Sequence, residues 1–242
     1  MFEEKLHIFP NELTFISDEK LTRLVSQLLI KADMAADSAG KKLYRNVVDP
    51  FSALFDSARQ KIELEEWQDQ EKSRQIQKSL QNFLGEFHQE VIGSINGWES
   101  LGTGSGVDVR SSDKKIIAEI KNKYNTMNSG KAVQVYDEIS RHLDFNEPYK
   151  GYISYIVFII PKSPIALNKI FSPSDKGTRR PQREDVRQID GKSFYHIATG
   201  DPEAIKKLYC RLPVIISKVS GTLPEKLVKS PIYSDLFNRA YS

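Results

Sequence analysis

The sequence predicts an α/β protein, a mixed central β-sheet flanked by helices, with a mainly helical amino-terminal region. Three observations carry this expectation. Residues 152–160 (YISYIVFII) are almost continuously apolar and β-branched, the pattern of a strand buried on both faces. Residues 116–123 (IIAEIKNK) alternate, so Ile116, Ala118 and Ile120 share one face and Glu119, Lys121 and Lys123 the other. Between them, Ala132, Val135, Tyr136, Ile139 and Leu143 recur at helical spacing. Strand, helix and strand in that order imply a crossover within one sheet.

The first hundred residues read as helices. Asp18 is placed to cap a helix carrying Leu21, Leu24, Val25, Leu28 and Leu29 on one stripe, and Gly40 marks its end. Pro50 opens a second helix with Phe51, Leu54, Phe55 and Ala58 along one face. A long third segment, about Glu65 to Ile95, has Ile76, Leu80, Phe83, Leu84, Phe87, Val91 and Ile95 as its apolar stripe. Glu86 and Glu90 lie one turn apart on it, either as a solvated face or as carboxylates brought to the following strands. Asn96-Gly97 then signals a turn. At 242 residues the chain suits one domain, with 1–95 its helical part and 96–242 its α/β core.

That core is organised around residues 102–123. Gly102, Gly104 and Gly106 form a loop where a substrate backbone can approach closely. A dinucleotide loop needs a helix directly after it, whereas a strand and a hairpin follow here, which excludes that reading. Val107-Asp108-Val109 reads as a short strand, and Ser111, Ser112, Asp113 and Lys114 supply the turn into the second one. Such a hairpin brings the carboxylates of Asp108 and Glu119 together, and Mg²⁺ takes such oxygen ligands while keeping several waters. Lys121 would then stand beside a metal-bound water or a phosphate oxygen, where charge neutralisation does most of the chemistry. The plain alternative is a solvated hairpin with ordinary surface charges.

Two further stretches suit nucleic acid. After Lys121, the polar residues Lys123, Asn125, Thr126 and Asn128 lead into a helix that Ser129 is placed to cap, from Lys131 to Leu143. Helix amino ends present N–H groups to phosphate. Residues 171–191 are the most basic loop, with Arg179, Arg180, Arg183 and Arg187 inside nine residues. The arginine fork matches the O6 and N7 edge of guanine, so at least one of Arg179, Arg180 and Arg183 is expected on a base; otherwise the loop is a mobile surface segment. Ser193 to Ile197 reads as a further short strand, and Thr199 to Pro202 as a helix start. The remainder is short and helical, interrupted by Pro213, Pro224 and Pro231.

Composition narrows the classes. Charged residues are 28% and apolar ones 39%, as in a soluble globular protein, and a net charge of +3 does not by itself argue for nucleic acid. A lone Cys210 excludes a disulfide framework and a cysteine zinc site, and its apolar neighbours suggest a core thiol. His7, His88, His142 and His196 lack metal-ligand spacing. No apolar run is long enough to cross a bilayer, and MFEEKLHIFPNEL is too polar for a signal peptide, so a cytoplasmic protein without a membrane partner is expected.

Asp108 followed by Glu119-Ile120-Lys121 resembles the core of the PD-(D/E)xK nucleases, with Val107 where the name has proline. The longer strings GSGVDV, AEIKNKYNTMNSGK and RPQREDVRQIDGKSFYHIATG are similar to type II restriction endonucleases of the SinI-like group, which cut GGNCC or GGWCC sites. The resemblance covers most of the chain after residue 85. It implies a Mg²⁺-dependent, sequence-specific endonuclease acting on double-stranded DNA, with Asp108 and Glu119 as metal ligands and Lys121 catalytic. It also implies a helical glutamate, Glu90 or Glu86, completing the site. Cutting both strands of a palindrome favours a homodimer. A repair-type or junction-resolving nuclease on the same core, or a non-catalytic DNA-binding module, are the rival readings.

Overall fold

The structure is a computed structural model that describes residues 12–43, 48–102 and 106–241. His7 and the amino-terminal reading above lie outside the described residues, as does Gly104. The chain forms two compact units, one of Ser26–Glu86 and one of the residues up to Val25 together with Phe87–Ser242.

The smaller unit holds parts of α1 (Asp18–Leu43) and α3 (Leu64–Gly93), with α2 (Pro50–Gln60) between them. Asp49 caps α2, its carboxylate accepting from the N–H of Phe51. The apolar stripe expected to face inward does not. Ala53 and Ser57 form the buried face, while Phe51, Leu54 and Phe55 are exposed. Asp56 ties α2 to α3 by accepting from Trp67 Nε1. Gly40 does not end α1, which continues to Leu43. Its cap is also shifted: Ser17 Oγ accepts from Lys20 N–H, and Asp18 instead ion-pairs with Arg211 and Lys218.

The larger unit is built on a six-stranded sheet of order β1-β2-β3-β4-β8-β5. Its strands are β1 (Glu99–Ser100), β2 (Val109–Ser111), β3 (Ile116–Lys123), β4 (Ile153–Ile160), β5 (Asn168–Ile170) and β8 (Val186–Asp190). β2 and β3 form the expected hairpin, closed by a turn at residues 112–115 in which Lys115 is left-handed. β3, β4 and β8 are parallel, and β5 closes one edge antiparallel. The crossover from β3 to β4 is α4 (Ser129–Phe145), which packs Val135, Tyr136, Ile139 and Leu143 on Ile117, Ile156 and Val186. β4 is buried on both faces, as its composition demands. β3 alternates only in its second half, because Ile116, Ile117 and Ala118 are all buried and its first half is covered on both sides.

Residues 193–197 are not a strand. They belong to α5 (Gly191–Thr199), capped by Asp190, whose carboxylate accepts from Ser193 N–H. The neighbouring strand is Val186–Asp190 instead. Phe194, Tyr195 and Ala198 then fall on one helical face, with Phe194 edge-on to Trp98 and Tyr155. Pro213 does not interrupt α6 (Ala204–Ser220), where it is buried, so packing outweighs the lost hydrogen bond. The chain ends in α7 (Pro224–Val228) and α8 (Pro231–Tyr241). Among the described residues no helix is long and apolar enough to cross a membrane.

Candidate active site

The site is assembled where the end of α3 meets the β2–β3 hairpin. Asp108 is not inside a strand; β2 begins one residue later. Its N–H donates to Ala118 O at 3.0 Å and its Oδ2 accepts the N–H of Ile120 at 2.6 Å. Asp108 is therefore clamped to β3 on both sides of Glu119. Gly106 makes the entry possible, since its φ of +70° is left-handed and a Cβ there would meet His142 Nε2 of α4 at 2.7 Å.

Glu119 Oε1 accepts from Lys121 Nζ at 2.5 Å, and both side chains are largely buried, 16% and 21% exposed. Burial, and then the neighbouring charge of Glu119, push the Asp108 carboxyl up to about 6. Two carboxylates and one ammonium thus share a partly enclosed corner of the sheet. The sequence expected this grouping of Asp108, Glu119 and Lys121. No cluster of three or more His, Cys, Asp and Glu side chains forms among the described residues.

The two helical glutamates part company. Glu86 belongs to the smaller unit and pairs with Lys31 there. Glu90 belongs to the larger one, where its Oε1 accepts from Ser100 Oγ at 2.7 Å. Gly93, one turn on, lets the helix lie directly against β1, because a Cβ there would sit 2.6 Å from Ser100 N. Gln89 Nε2 reaches the carbonyl of Asp108 at 3.3 Å. The end of α3 thus braces β1 and the segment that carries Asp108.

At the end of β3 Lys123 is exposed, as is Asn125 in the turn that follows, while Thr126 and Asn128 use their side chains locally. Thr126 Oγ1 donates to Lys123 O, and Asn128 Oδ1 caps α4 by accepting from Lys131 N–H. Asn128, not Ser129, is the cap; Ser129 Oγ donates to Asp175 instead.

The arginine-rich stretch is ordered as an arm along α4. It contains a small hairpin, β6 (Ser174–Asp175) with β7 (Thr178–Arg179). Arg180 forms a two-pronged pair with Asp137 at 2.8 and 2.7 Å. Arg183 does the same with Asp144 and also with Asp185. Tyr136 Oη donates to Pro181 O between them. Arg187 lies inside β8, held by Asn168 and Glu184. Arg179 is exposed and donates one Nη1–H to Ser172 O. Sequence reasoning missed the staples, although Asp137 and Asp144, seven residues apart on one helix face, were their only local sign.

Relatives give this geometry a context. The family model for the Eco47II restriction endonuclease matches residues 13–220. The chain belongs to the Eco47II restriction endonuclease family. It is 40% identical over 210 residues to the type II restriction enzyme Eco47II of Escherichia coli, covering 86% of this chain and 87% of the relative. It is 31% identical over 235 residues to the type II restriction enzyme Sau96I of Staphylococcus aureus, covering 94% and 89%. No solved structure matches the chain. The restriction-endonuclease resemblance carried by the strings around Asp108 and Arg183 is borne out. The enzyme class of this family member is that of the type II site-specific deoxyribonucleases. The matched span includes every element of the site described above.

Proposed function

We propose that this chain is a Mg²⁺-dependent endonuclease that hydrolyses both strands of DNA within a short palindromic site of the GGNCC kind. Asp108, Glu119 and Lys121 form its hydrolytic centre. The observation that carries the reading is the clamping of Asp108 onto β3 around Glu119, with Lys121 Nζ on the Glu119 carboxylate.

The donor set fits the metal. Two adjacent carboxylates, one pushed toward its neutral form by burial and by the other's charge, favour a cation between them. Mg²⁺ is commonly held by only one or two carboxylates together with waters and phosphate oxygens, so a third protein ligand is not required. Held by Asp108 and Glu119, it would neutralise phosphate charge and acidify a bound water. The protein's own part is positioning. Ile120 N–H fixes the Asp108 carboxylate, Lys121 orients Glu119, and its ammonium offsets the negative charge that grows on the attacked phosphate. Lys123 and Asn125 grip phosphates beside the site, with Thr126 and Asn128 shaping their turn. Glu90 acts as a positioning residue through Ser100. Two copies related by a two-fold axis match a palindromic site.

Digestion of sequenced DNA with Mg²⁺, followed by end mapping, tests this. Discrete fragments with one common end sequence, abolished by chelation, are expected. Smears, or a preference for branched DNA, favour a repair or junction nuclease. Binding without strand breakage in any divalent metal favours a DNA-binding module.

A further inference from the structure

The sheet carries a second polar feature that the hydrolytic centre does not use. Register runs straight across it: Glu119 pairs with Ile156, Ile156 with Gln188, and Gln188 with Lys169. Paired residues project to one face, so Glu119 and Gln188 share a face two strand spacings apart, about 10 Å. Around Gln188 opens a groove of about 480 Å³ between β5, β8 and the arm. Arg179, Gln182, Gln188, Lys169 and Asn168 line it, almost all donors or amides, with Glu184 the one acid. Arg179 and Gln182 are exposed there.

We propose that this groove reads guanine base edges of the DNA, with Arg179, Gln182 and Gln188 as the specificity-determining side chains. Arg180 and Arg183 hold the arm that forms the groove wall. The assignment rests on the endonuclease reading above. Three relationships support it. Arginine reads guanine by paired hydrogen bonds in the major groove, and a glutamine amide can donate to the same O6 and N7 acceptors. Arg179 is anchored at one nitrogen by Ser172 O, which fixes where its exposed guanidinium lies. Arg180 and Arg183, by contrast, direct their forks into the carboxylates of Asp137 and Asp144 on α4 and of Asp185 just before β8.

The test measures binding without Mg²⁺, by fluorescence anisotropy, to the mapped site and to duplexes changed at one base pair, at several salt concentrations. R179A, R179K, Q182A and Q188A are compared with the wild type, each checked for an unchanged melting temperature. R179A and Q188A should each lose about tenfold or more on the mapped site and discriminate less at one base-pair position. R179K should lose discrimination as R179A does, because a point charge cannot replace the fork. Uniform weakening on all sequences with a flatter salt dependence means that the groove grips phosphates, and overturns the proposal. Unchanged binding overturns it equally. Because binding is read without cleavage, failure of the hydrolytic centre shows separately, as D108A or E119A that still cuts.

Discussion

Asp108 and Ile120 are joined by a hydrogen bond from a strand amide to a side chain, 2.6 Å from Ile120 N to Asp108 Oδ2. β3 gives this amide to the acid that faces Glu119. The bond costs Asp108 its freedom to turn away, so the two carboxylates stay together despite their mutual repulsion. A site held in this unfavourable state before any cation arrives is preorganised for one.

The first expectation follows for the three polar side chains. D108A and E119A should abolish cleavage with the fold intact, since neither packs the core. K121A should lower kcat about 10²- to 10³-fold, the range for removing one preorganised charge from a reacting oxygen. Single-turnover cleavage of the mapped site, alongside melting curves, checks both statements. Near wild-type cutting by any folded variant sinks the assignment.

A second expectation concerns pH. The Asp108 carboxyl is raised from 3.8 to about 6 in the folded chain. A raised value means that its contribution to stability is complete below 3.8 and is lost as pH rises through about 6. In chelator at pH 7.5, D108N should therefore be more stable than the wild type, on the order of 1–2 kcal/mol. At pH 4 the two should melt alike. Added Mg²⁺ should raise the melting temperature of the wild type and not of D108N. At limiting Mg²⁺, cleavage by the wild type should fall away below about pH 6.

Glu90 separates bracing from metal binding. If it acts through Ser100 Oγ, E90Q keeps the acceptor and should need the same Mg²⁺ concentration as the wild type, while E90A loosens β1 and lowers kcat. A large rise in the Mg²⁺ requirement of E90Q would make Glu90 a ligand. Magnesium titrations of cleavage by both variants decide between the two.

How far the site was legible in the sequence depended on the range of the forces involved. The trio was visible because an acid between valines and an alternating E-x-K are local patterns. β4 was visible because a strand covered on both faces leaves no polar position. Residues 193–197 were misread as a strand because Phe194, Tyr195 and Ile197 favour strands, whereas the Asp190 cap and burial on one side impose a helix. The arm looked unstructured because its anchors, Asp137 and Asp144, lie about forty residues away in sequence. Long-range ion pairs leave no periodicity to find. The outward face of α2 was equally hidden, since apolar spacing shows that a stripe exists and not what covers it.

His88 supplies a slope opposite in sign to that of Asp108. Its ring is set edge-on to Phe87 and Tyr195, Nδ1 lies 2.8 Å from Tyr195 Oη, and burial holds it down at about 4. A lowered value means stability present above 6.5 and lost as pH falls through about 4. Between pH 7 and 5 this group should cost the wild type about 1–2 kcal/mol. Denaturant melts of H88Q across that range should show a flatter profile, and an equal slope in both proteins would refute the burial argument.

The last expectation divides the arginines of the arm by their partners. Arg183 serves Asp144 and Asp185 at once, and Arg180 serves Asp137. These pairs hold the Asp137 and Asp185 carboxyls below the usual range. R180A or R183A leaves a half-exposed carboxylate without its cation and frees the arm from α4. Exposure to solvent screens such pairs, so each loss of stability should be small and should shrink in high salt. R180K and R183K should recover only part of it, because a lysine cannot make both parallel hydrogen bonds. Limited proteolysis adds a local readout: R183A should be cut faster within residues 171–185, while R179A should be cut no faster than the wild type. If R179A loosens the arm as much as R183A does, the division between groove and staple fails.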